Sequence, residues 1–124
     1  MVRQLLQRIR KFRQDKALIL MYHQVCERSD DPWELAVHPG NFYEQLDYLR
    51  KNFQVVPVAD LANGITRGKV GSNAVAITFD DGFRDNYTTA APILDWFNMP
   101  AAFYVSTRSI LEERIYWWEV LQHV

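Results

Sequence analysis

The sequence has little cysteine: Cys26 is the only one in 124 residues. A disulfide within the chain is therefore excluded, and so is a Cys-x-x-Cys metal site. No segment reaches the roughly 20 consecutive apolar residues that a membrane-spanning helix requires. The apolar run near the N-terminus, Ala17–Met21, is also too short for the core of a secretory signal. The sequence therefore predicts a cytoplasmic chain.

The chain is also short and has little net charge. Its formal charge is −1, so no overall excess of positive charge indicates a nucleic-acid partner. Its hydrophobic content of 48% and charged content of 23% are typical of a globular domain. A chain of this length can build one modest core, but it is too short for a complete (β/α)8 barrel, which needs about 250 residues.

The charge is distributed unevenly along the chain. Residues 1–16 contain six Lys and Arg against one acid, and the remainder contains eight against fourteen. At 100° per residue the apolar side chains of residues 2–14 fall on one helix face. We therefore predict a basic amphipathic helix over residues 1–16. Its apolar face would either dock on the domain, which is the favoured alternative, or make peripheral contact with an anionic membrane through residues 2–14.

From residue 17 onward, apolar segments of strand length alternate with helical patterns. Ala17–Met21 and Ala74–Phe79 are uninterrupted or nearly uninterrupted apolar runs, typical of strands that are covered on both faces. The further predicted elements are a helix opening at Pro39 with Asn41 as N-cap, a strand at Val55–Val58, one helical turn at Asp60–Asn63 ended by Gly64, a helix at about Asn86–Phe97 in which Pro92 implies a kink or a late start, and a buried strand at Pro100–Val105. This order predicts one α/β unit with mostly parallel strands.

Candidate chemistry lies where two predicted strands end. Asp80 and Asp81 directly follow the strand Ala74–Phe79, and His23 ends the first strand. In parallel α/β domains the carboxyl ends of strands carry the reactive groups. Two adjacent carboxylates cannot point the same way along a strand, so one can hold a metal while the other accepts a proton. Aspartate pairs are common on surfaces and a lone histidine is more often structural, but the position favours function for the aspartates and leaves His23 open.

Several motifs occur together in one order. They are Met21-Tyr22-His23, Asn41-Phe42-x-x-Gln45-Leu46-x-x-Leu49, Thr78-Phe79-Asp80-Asp81-Gly82-Phe83-x-Asp85-Asn86-Tyr87, Ala91-Pro92-Ile93-Leu94 and Pro100-Ala101-Ala102-Phe103-Tyr104-Val105. From about residue 17 to residue 118 the chain resembles the N-terminal half of the polysaccharide deacetylases, the NodB-homology family or carbohydrate esterase family 4. We therefore interpret residues 17–124 as a partial NodB-homology domain.

The resemblance implies the N-terminal half of a distorted (β/α)7 TIM-like barrel and a metal-dependent de-N-acetylase that hydrolyses the acetamide C–N bond of N-acetylated glycans. Carried over from the family, Asp80 would be the general base and Asp81 a ligand of Zn²⁺ or another divalent metal. His23 would line the pocket. This chemistry is coherent, because a metal can polarise the weakly electrophilic amide carbonyl while a nearby carboxylate takes the proton from water.

The chain departs from the family in its missing second half. The family completes its metal site with a later His-x-x-x-His motif, which this sequence does not contain. A catalytic zinc needs three protein ligands, so the site is incomplete here and we expect the chain alone to be an inactive fragment. Its open sheet edge could mediate association, and Trp117-Trp118 would pack against the missing portion.

Two other classes of function remain to be compared with the enzyme. The chain could be a non-catalytic remnant half-domain that binds a glycan or a protein partner. A different metal enzyme, such as a glycosyltransferase or a phosphatase with paired carboxylates, is disfavoured because no Asp-x-Asp motif or phosphate loop is present. An His-x-x-x-His segment encoded beyond codon 124 would favour the enzyme.

Overall fold

The computed structural model describes residues 17–107 together with Tyr116 and Val120. The basic helix predicted for residues 1–16 and the Trp117-Trp118 pair lie outside the described residues. Within the part that is described, none of the helices has both the length and the apolar content needed to cross a bilayer.

The described chain alternates strands and helices, as the sequence predicts. In chain order the elements are β1 (Leu18–Tyr22), β2 (Gln24–Val25), β3 (Ala36–Val37), α1 (Pro39–Asn52), β4 (Gln54–Val55), α2 (Val58–Thr66), β5 (Ala74–Phe79), a π-helical segment (Asn86–Ala90), α3 (Ala91–Phe97) and β6 (Ala102–Phe103). Every strand pair formed by these elements is parallel, which confirms the predicted α/β class.

Strand β5 is the centre of the main sheet. β1 pairs with it from Leu18 opposite Val75 to Tyr22 opposite Phe79. β4 pairs with the first two residues of β5 and β6 with the last two, so these short strands share the edge that β1 does not occupy. All six residues of β5 are buried, as expected for an apolar strand with neighbours at both edges.

The larger core lies on the face of β5 that carries Val75, Ile77 and Phe79. Helix α1 turns its buried residues toward this face, and their spacing of three and four residues is that of an amphipathic helix. The rings of Tyr22, Phe42 and Phe79 contact one another with centroid separations of 5.1, 5.4 and 5.9 Å. These geometries are favourable for aromatic pairs and join β1, α1 and β5.

The smaller core lies on the opposite face of β5. Ala74 and Ala76 leave room there for Leu61 from α2. The prediction that β1 is covered on both faces is wrong in the described chain, because Ile19 is 57% and Met21 61% exposed. These two side chains lie beyond the reach of the short helix α2, on the same sheet face as the alanines.

The predicted buried strand at Pro100–Val105 is also wrong in part. Only Ala102 and Phe103 pair with β5, and Phe103, Tyr104 and Val105 are exposed. The apolar composition of this segment indicated burial. Burial also requires other elements that cover the strand, and among the described residues only β5 pairs with it.

Two helix boundaries differ from the sequence predictions. The N-cap of α1 is His38, whose Nδ1 accepts a hydrogen bond from the Gly40 N–H at 3.1 Å, and not Asn41. Pro39 occupies the first turn, where its missing N–H costs nothing. Helix α2 starts at Val58, so the strand predicted at Val55–Val58 is present only at Val55, and the helix continues through Gly64 to Thr66. A Cβ at Gly64 would lie only 2.9 Å from the Lys69 carbonyl oxygen. The glycine serves this close approach rather than ending the helix.

Of the kink or late start predicted from Pro92, the structure shows the late start of the regular helix. A π-helical segment covers Asn86–Ala90, and the Ala91 N–H donates to the Asn86 carbonyl across five residues. The regular helix α3 begins at Ala91, so Pro92 lies in its first turn. Proline is tolerated there because the first N–H groups of a helix have no intrahelical acceptor.

We expect Leu46→Ala to lower the free energy of unfolding by about 2–5 kcal/mol, because Leu46 is fully buried in the larger core and its truncation leaves a cavity. Glu44→Ala on the exposed face of the same helix is the control, with an expected change within about 0.5 kcal/mol. Urea denaturation followed by circular dichroism measures both. Equal effects of the two variants would contradict this core.

Candidate functional site

The candidate site lies at the carboxyl ends of β1 and β5. The Asp80 N–H donates to the Tyr22 carbonyl at 2.9 Å, which is the bond that extends the β1–β5 pairing past the end of β5. His23 follows β1 directly, and its Nε2 lies 3.8 Å from Oδ2 of Asp81. The structure thus brings His23 and the aspartates to one rim, as expected from parallel strands that end together.

The chain reverses direction directly after β5. Asp81 has φ +72° and Gly82 has φ +68°, so two consecutive residues adopt the left-handed conformation. A Cβ at position 82 would lie 2.8 Å from Cγ1 of Val105, which restricts the position to glycine. Asp81 has a side chain and therefore carries backbone strain of the kind that clusters at functional sites. The turn aims the Asp81 carboxylate at His23.

The Asp81 carboxyl group is electrostatically unfavourable as an anion. Its partial burial raises its pKa, His23 lowers it and the neighbouring Asp80 raises it further. A raised folded-state pKa means that the contribution of Asp81 to stability is fully present below its unfolded pKa and is lost as the pH rises through the folded pKa. Above the folded pKa the ionised carboxylate is thus destabilising, and a cation bound beside it would relieve this cost.

Asp85 and Asn86, which follow the turn, also contact the site. The sequence had indicated no role for either residue. Asn86 is only 4% exposed, and its surroundings place the amide nitrogen 2.8 Å from the His23 carbonyl and 3.2 Å from Oδ1 of Asp85. The same Asp85 oxygen accepts the Val25 N–H at 2.8 Å. The available signal was the position of this polar pair shortly after the Asp-Asp-Gly turn, with two residues between them.

Tyr116 also contacts the site. Its hydroxyl donates a hydrogen bond to the Asp81 carbonyl, and its ring packs against Phe83 with centroids 5.4 Å apart. The sequence reasoning did not single out this residue. It lies far from Asp81 along the chain, so no local pattern indicated the contact.

An apolar cavity of about 260 Å³ opens beside the turn. It is bounded by the turn, the π-helical segment and the end of β6, and its lining residues are Gly82, Phe83, Asn86, Tyr87, Ala91, Phe103 and Val105. Tyr87 is 83% exposed at this position. Apolar and aromatic walls with a few polar groups are typical of pockets that bind small molecules.

Two of the described side chains at this rim have the chemistry of metal ligands. The carboxylate of Asp81 and the imidazole of His23 are chemically suitable ligands for Zn²⁺. In the chain as far as it is described, however, no group of three or more His, Cys, Asp or Glu side chains could hold a metal ion. A catalytic zinc needs three protein ligands, so these residues do not complete a site.

Comparison with known proteins identifies relatives over most of the chain. Residues 67–124 match the family model named polysaccharide deacetylase. The chain is 34% identical over 86 residues to the poly-beta-1,6-N-acetyl-D-glucosamine N-deacetylase of Escherichia coli (strain K12), and the match covers 68% of this chain and 13% of that protein. The chain therefore corresponds to a small part of the length of this relative.

Solved structures match the same region. IcaB from Ammonifex degensii superposes with a TM-score of 0.64 at 32% identity, over 75% of this chain and 39% of that one. The Streptococcus pyogenes deacetylase PplD in complex with acetate has a TM-score of 0.66 at 25% identity, over 77% of this chain and 45% of that one. The fold predicted from the sequence, a partial (β/α) barrel of the NodB type, is confirmed.

We expect Asp81→Gly to raise the free energy of unfolding by up to about 1 kcal/mol, because relief of roughly 1–2 kcal/mol of left-handed strain exceeds the roughly 0.5–1 kcal/mol that glycine costs in unfolded-state entropy. The matched variant is Asp80→Gly, whose backbone is not left-handed and which should lose about 0.5–1 kcal/mol through unfolded-state entropy. Urea denaturation of both variants checks the pair. A loss of stability in Asp81→Gly equal to that in Asp80→Gly would contradict the strained turn.

Proposed function

The chain belongs to the polysaccharide deacetylase family, and on this basis we propose that it provides the first part of the active-site rim of a de-N-acetylase. The proposed reaction is hydrolysis of the acetamide C–N bond of N-acetylated glycans. The observation that carries the proposal is the left-handed turn at Asp81, which places a carboxylate beside His23 at the end of a fully buried strand. The name of the Escherichia coli relative states N-deacetylation of poly-beta-1,6-N-acetyl-D-glucosamine for that protein.

Asp80 is proposed as the general base. Hydrolysis of an amide needs a water molecule to attack the carbonyl carbon, and a carboxylate within reach of that water can accept its proton. Asp80 lies on the rim, half-buried, with its backbone fixed by the bond to Tyr22. Because Asp81 turns away into the left-handed conformation, the two adjacent carboxylates serve separate roles.

Asp81 is proposed as one ligand of a divalent metal, with Zn²⁺ as the first candidate, and His23 as a residue lining the pocket. A bound metal would supply the polarisation that an acetamide carbonyl requires. The raised pKa of Asp81 supports this role, because a carboxylate that is destabilised as a free anion gains most from a cation. Further ligands would have to come from outside the described residues.

A non-catalytic half-domain is the second candidate function. It is favoured by the absence of a three-ligand group among the residues described in the structure. The apolar cavity next to Tyr87 would then hold a glycan or a segment of a partner without hydrolysing it. The two candidates differ in acetate release and in metal affinity.

We expect calorimetric titration of the 124-residue chain with Zn²⁺ to show weak binding, since one or two ligands do not make a catalytic zinc site. Asp81→Ala should abolish the residual binding, whereas Asp95→Ala, which removes an exposed carboxylate on α3, should leave it unchanged. A tight one-to-one site in the unaltered chain would contradict the ligand set proposed here.

Acetate release from N-acetylglucosamine oligomers tests the reaction. We expect none from the chain alone, and release when it is combined with a polypeptide that supplies the His-x-x-x-His motif. In that combination Asp80→Asn should lower the rate by about 10²–10⁴-fold and keep the metal, while Asp81→Ala should lose both. Full activity of either variant would refute the assignment. Glycan binding without any acetate release would favour the half-domain alternative.

A further inference from the structure

The chain after β1 needs partners for its backbone polar groups. The last bond of the β1–β5 pairing is donated by Asp80 to Tyr22, so the residues that follow leave the sheet. The Gln24 N–H turns to the Leu35 carbonyl at 3.2 Å. The His23 carbonyl and the Val25 N–H point to the other side. Because buried or half-buried backbone groups are nearly always hydrogen-bonded, their partners show what fixes this segment.

Both partners are side chains from the segment that follows the Asp-Asp-Gly turn. The Asn86 amide nitrogen donates to the His23 carbonyl at 2.8 Å. Oδ1 of Asp85 accepts the Val25 N–H at 2.8 Å and the second amide hydrogen of Asn86 at 3.2 Å. An amide has two donor hydrogens, and both are used here. Asp85 and Asn86 thus bind one another and both flanks of Gln24.

We propose that Asp85 and Asn86 are positioning residues that hold the backbone of His23 and thereby set the place of its imidazole beside Asp81. This role for the pair rests on the proposed function, in which His23 and Asp81 share one active-site rim. Asp85 and Asn86 lie within seven residues of Asp80 and Asp81 along the chain. The turn that directs the Asp81 side chain therefore also sets where the backbone of Asn86 begins its helical segment. The two sides of the His23–Asp81 contact are therefore built from a single segment of residues 80–86.

The environment of Asn86 supports a fixed geometry. Its side chain is almost completely buried, and its own backbone N–H donates to the Phe83 carbonyl at 3.0 Å. It begins the π-helical segment, and such segments are frequent at functional sites. A buried amide with both donors engaged has one orientation, since rotation would leave buried polar atoms without partners.

The test compares Asn86 with a buried amide elsewhere in the core. Gln45 is as deeply buried, and its Oε1 accepts the Tyr22 hydroxyl hydrogen at 2.8 Å. Asn86→Leu and Gln45→Met each remove one buried amide, so both should lower stability. Asn86→Asp keeps the side-chain shape and removes both N–H donors. Only the two Asn86 variants should release His23.

The readout is the rate at which diethylpyrocarbonate modifies each histidine, followed by mass spectrometry of peptides. The side chain of His23 is 20% exposed, and that of His38, the internal reference, is 54% exposed. In Asn86→Leu and Asn86→Asp we expect the His23 rate, relative to that of His38, to rise about two- to threefold. In Gln45→Met the ratio should stay at the wild-type value. An unchanged ratio in the Asn86 variants, or an equal rise in Gln45→Met, would overturn the proposal.

Amide hydrogen exchange in the unaltered chain provides a second test that does not depend on whether the variants fold. Val25 pairs with β3, but its N–H donates to Oδ1 of Asp85, so the exchange rate of this N–H reports on the Asp85 contact. We expect slow exchange at Val25, and fast exchange there would overturn the proposal. Neither measurement requires a metal, a glycan or turnover. If acetate release fails while the histidine modification and the amide exchange give the expected results, only the proposed function is refuted. If acetate is released but these two measurements give the opposite results, only the positioning role is refuted.

Discussion

The structure depends on the parallel pairing of β1 with β5. Five consecutive residue pairs join the two strands, from Leu18 with Val75 to Tyr22 with Phe79. This register decides that His23 and Asp80 leave the sheet at the same level. A shift by one residue would turn the side chains of β1 to the opposite face, which would remove Tyr22 from the aromatic core and displace His23. Core packing and site geometry are therefore consequences of a single register.

The sequence predicted best where local and global requirements agree. β5 is apolar throughout and has neighbours at both edges, so its composition and its burial coincide. At β1 and β6 the composition is equally apolar, but the described chain covers only part of them. Apolar content reports what a strand can bury and not which layer is present to bury it. The same limit applies to Gly64, which the sequence predicts to end a helix. In the structure it lies within the helix, where its missing side chain permits close approach of the Lys69 carbonyl oxygen.

The candidate site could be located from the sequence but not assembled from it. The Asp-Asp-Gly motif at the end of an apolar strand indicated the position of the aspartates, and the end of the first strand indicated His23. The left-handed backbone of Asp81 and the orientation of Asn86 depend on contacts across the fold, which no periodicity encodes. Asn86 stood in the sequence within the motif after the Asp-Asp-Gly turn, but as a polar residue in a predicted helix it gave no sign of burial, since such residues are usually solvated. Its burial distinguishes it.

The turn that carries the aspartates rests on parts of the chain that are synthesised after it. Gly82 abuts Val105, and the Asp81 carbonyl accepts the hydroxyl hydrogen of Tyr116. While the chain emerges from the ribosome, β1, α1 and β5 can form their shared core before either residue is available. The strained conformation of Asp81 must then wait for later segments to stabilise it. The scaffold can thus form first, and the candidate rim acquires its final shape only after Val105 and Tyr116 have been added.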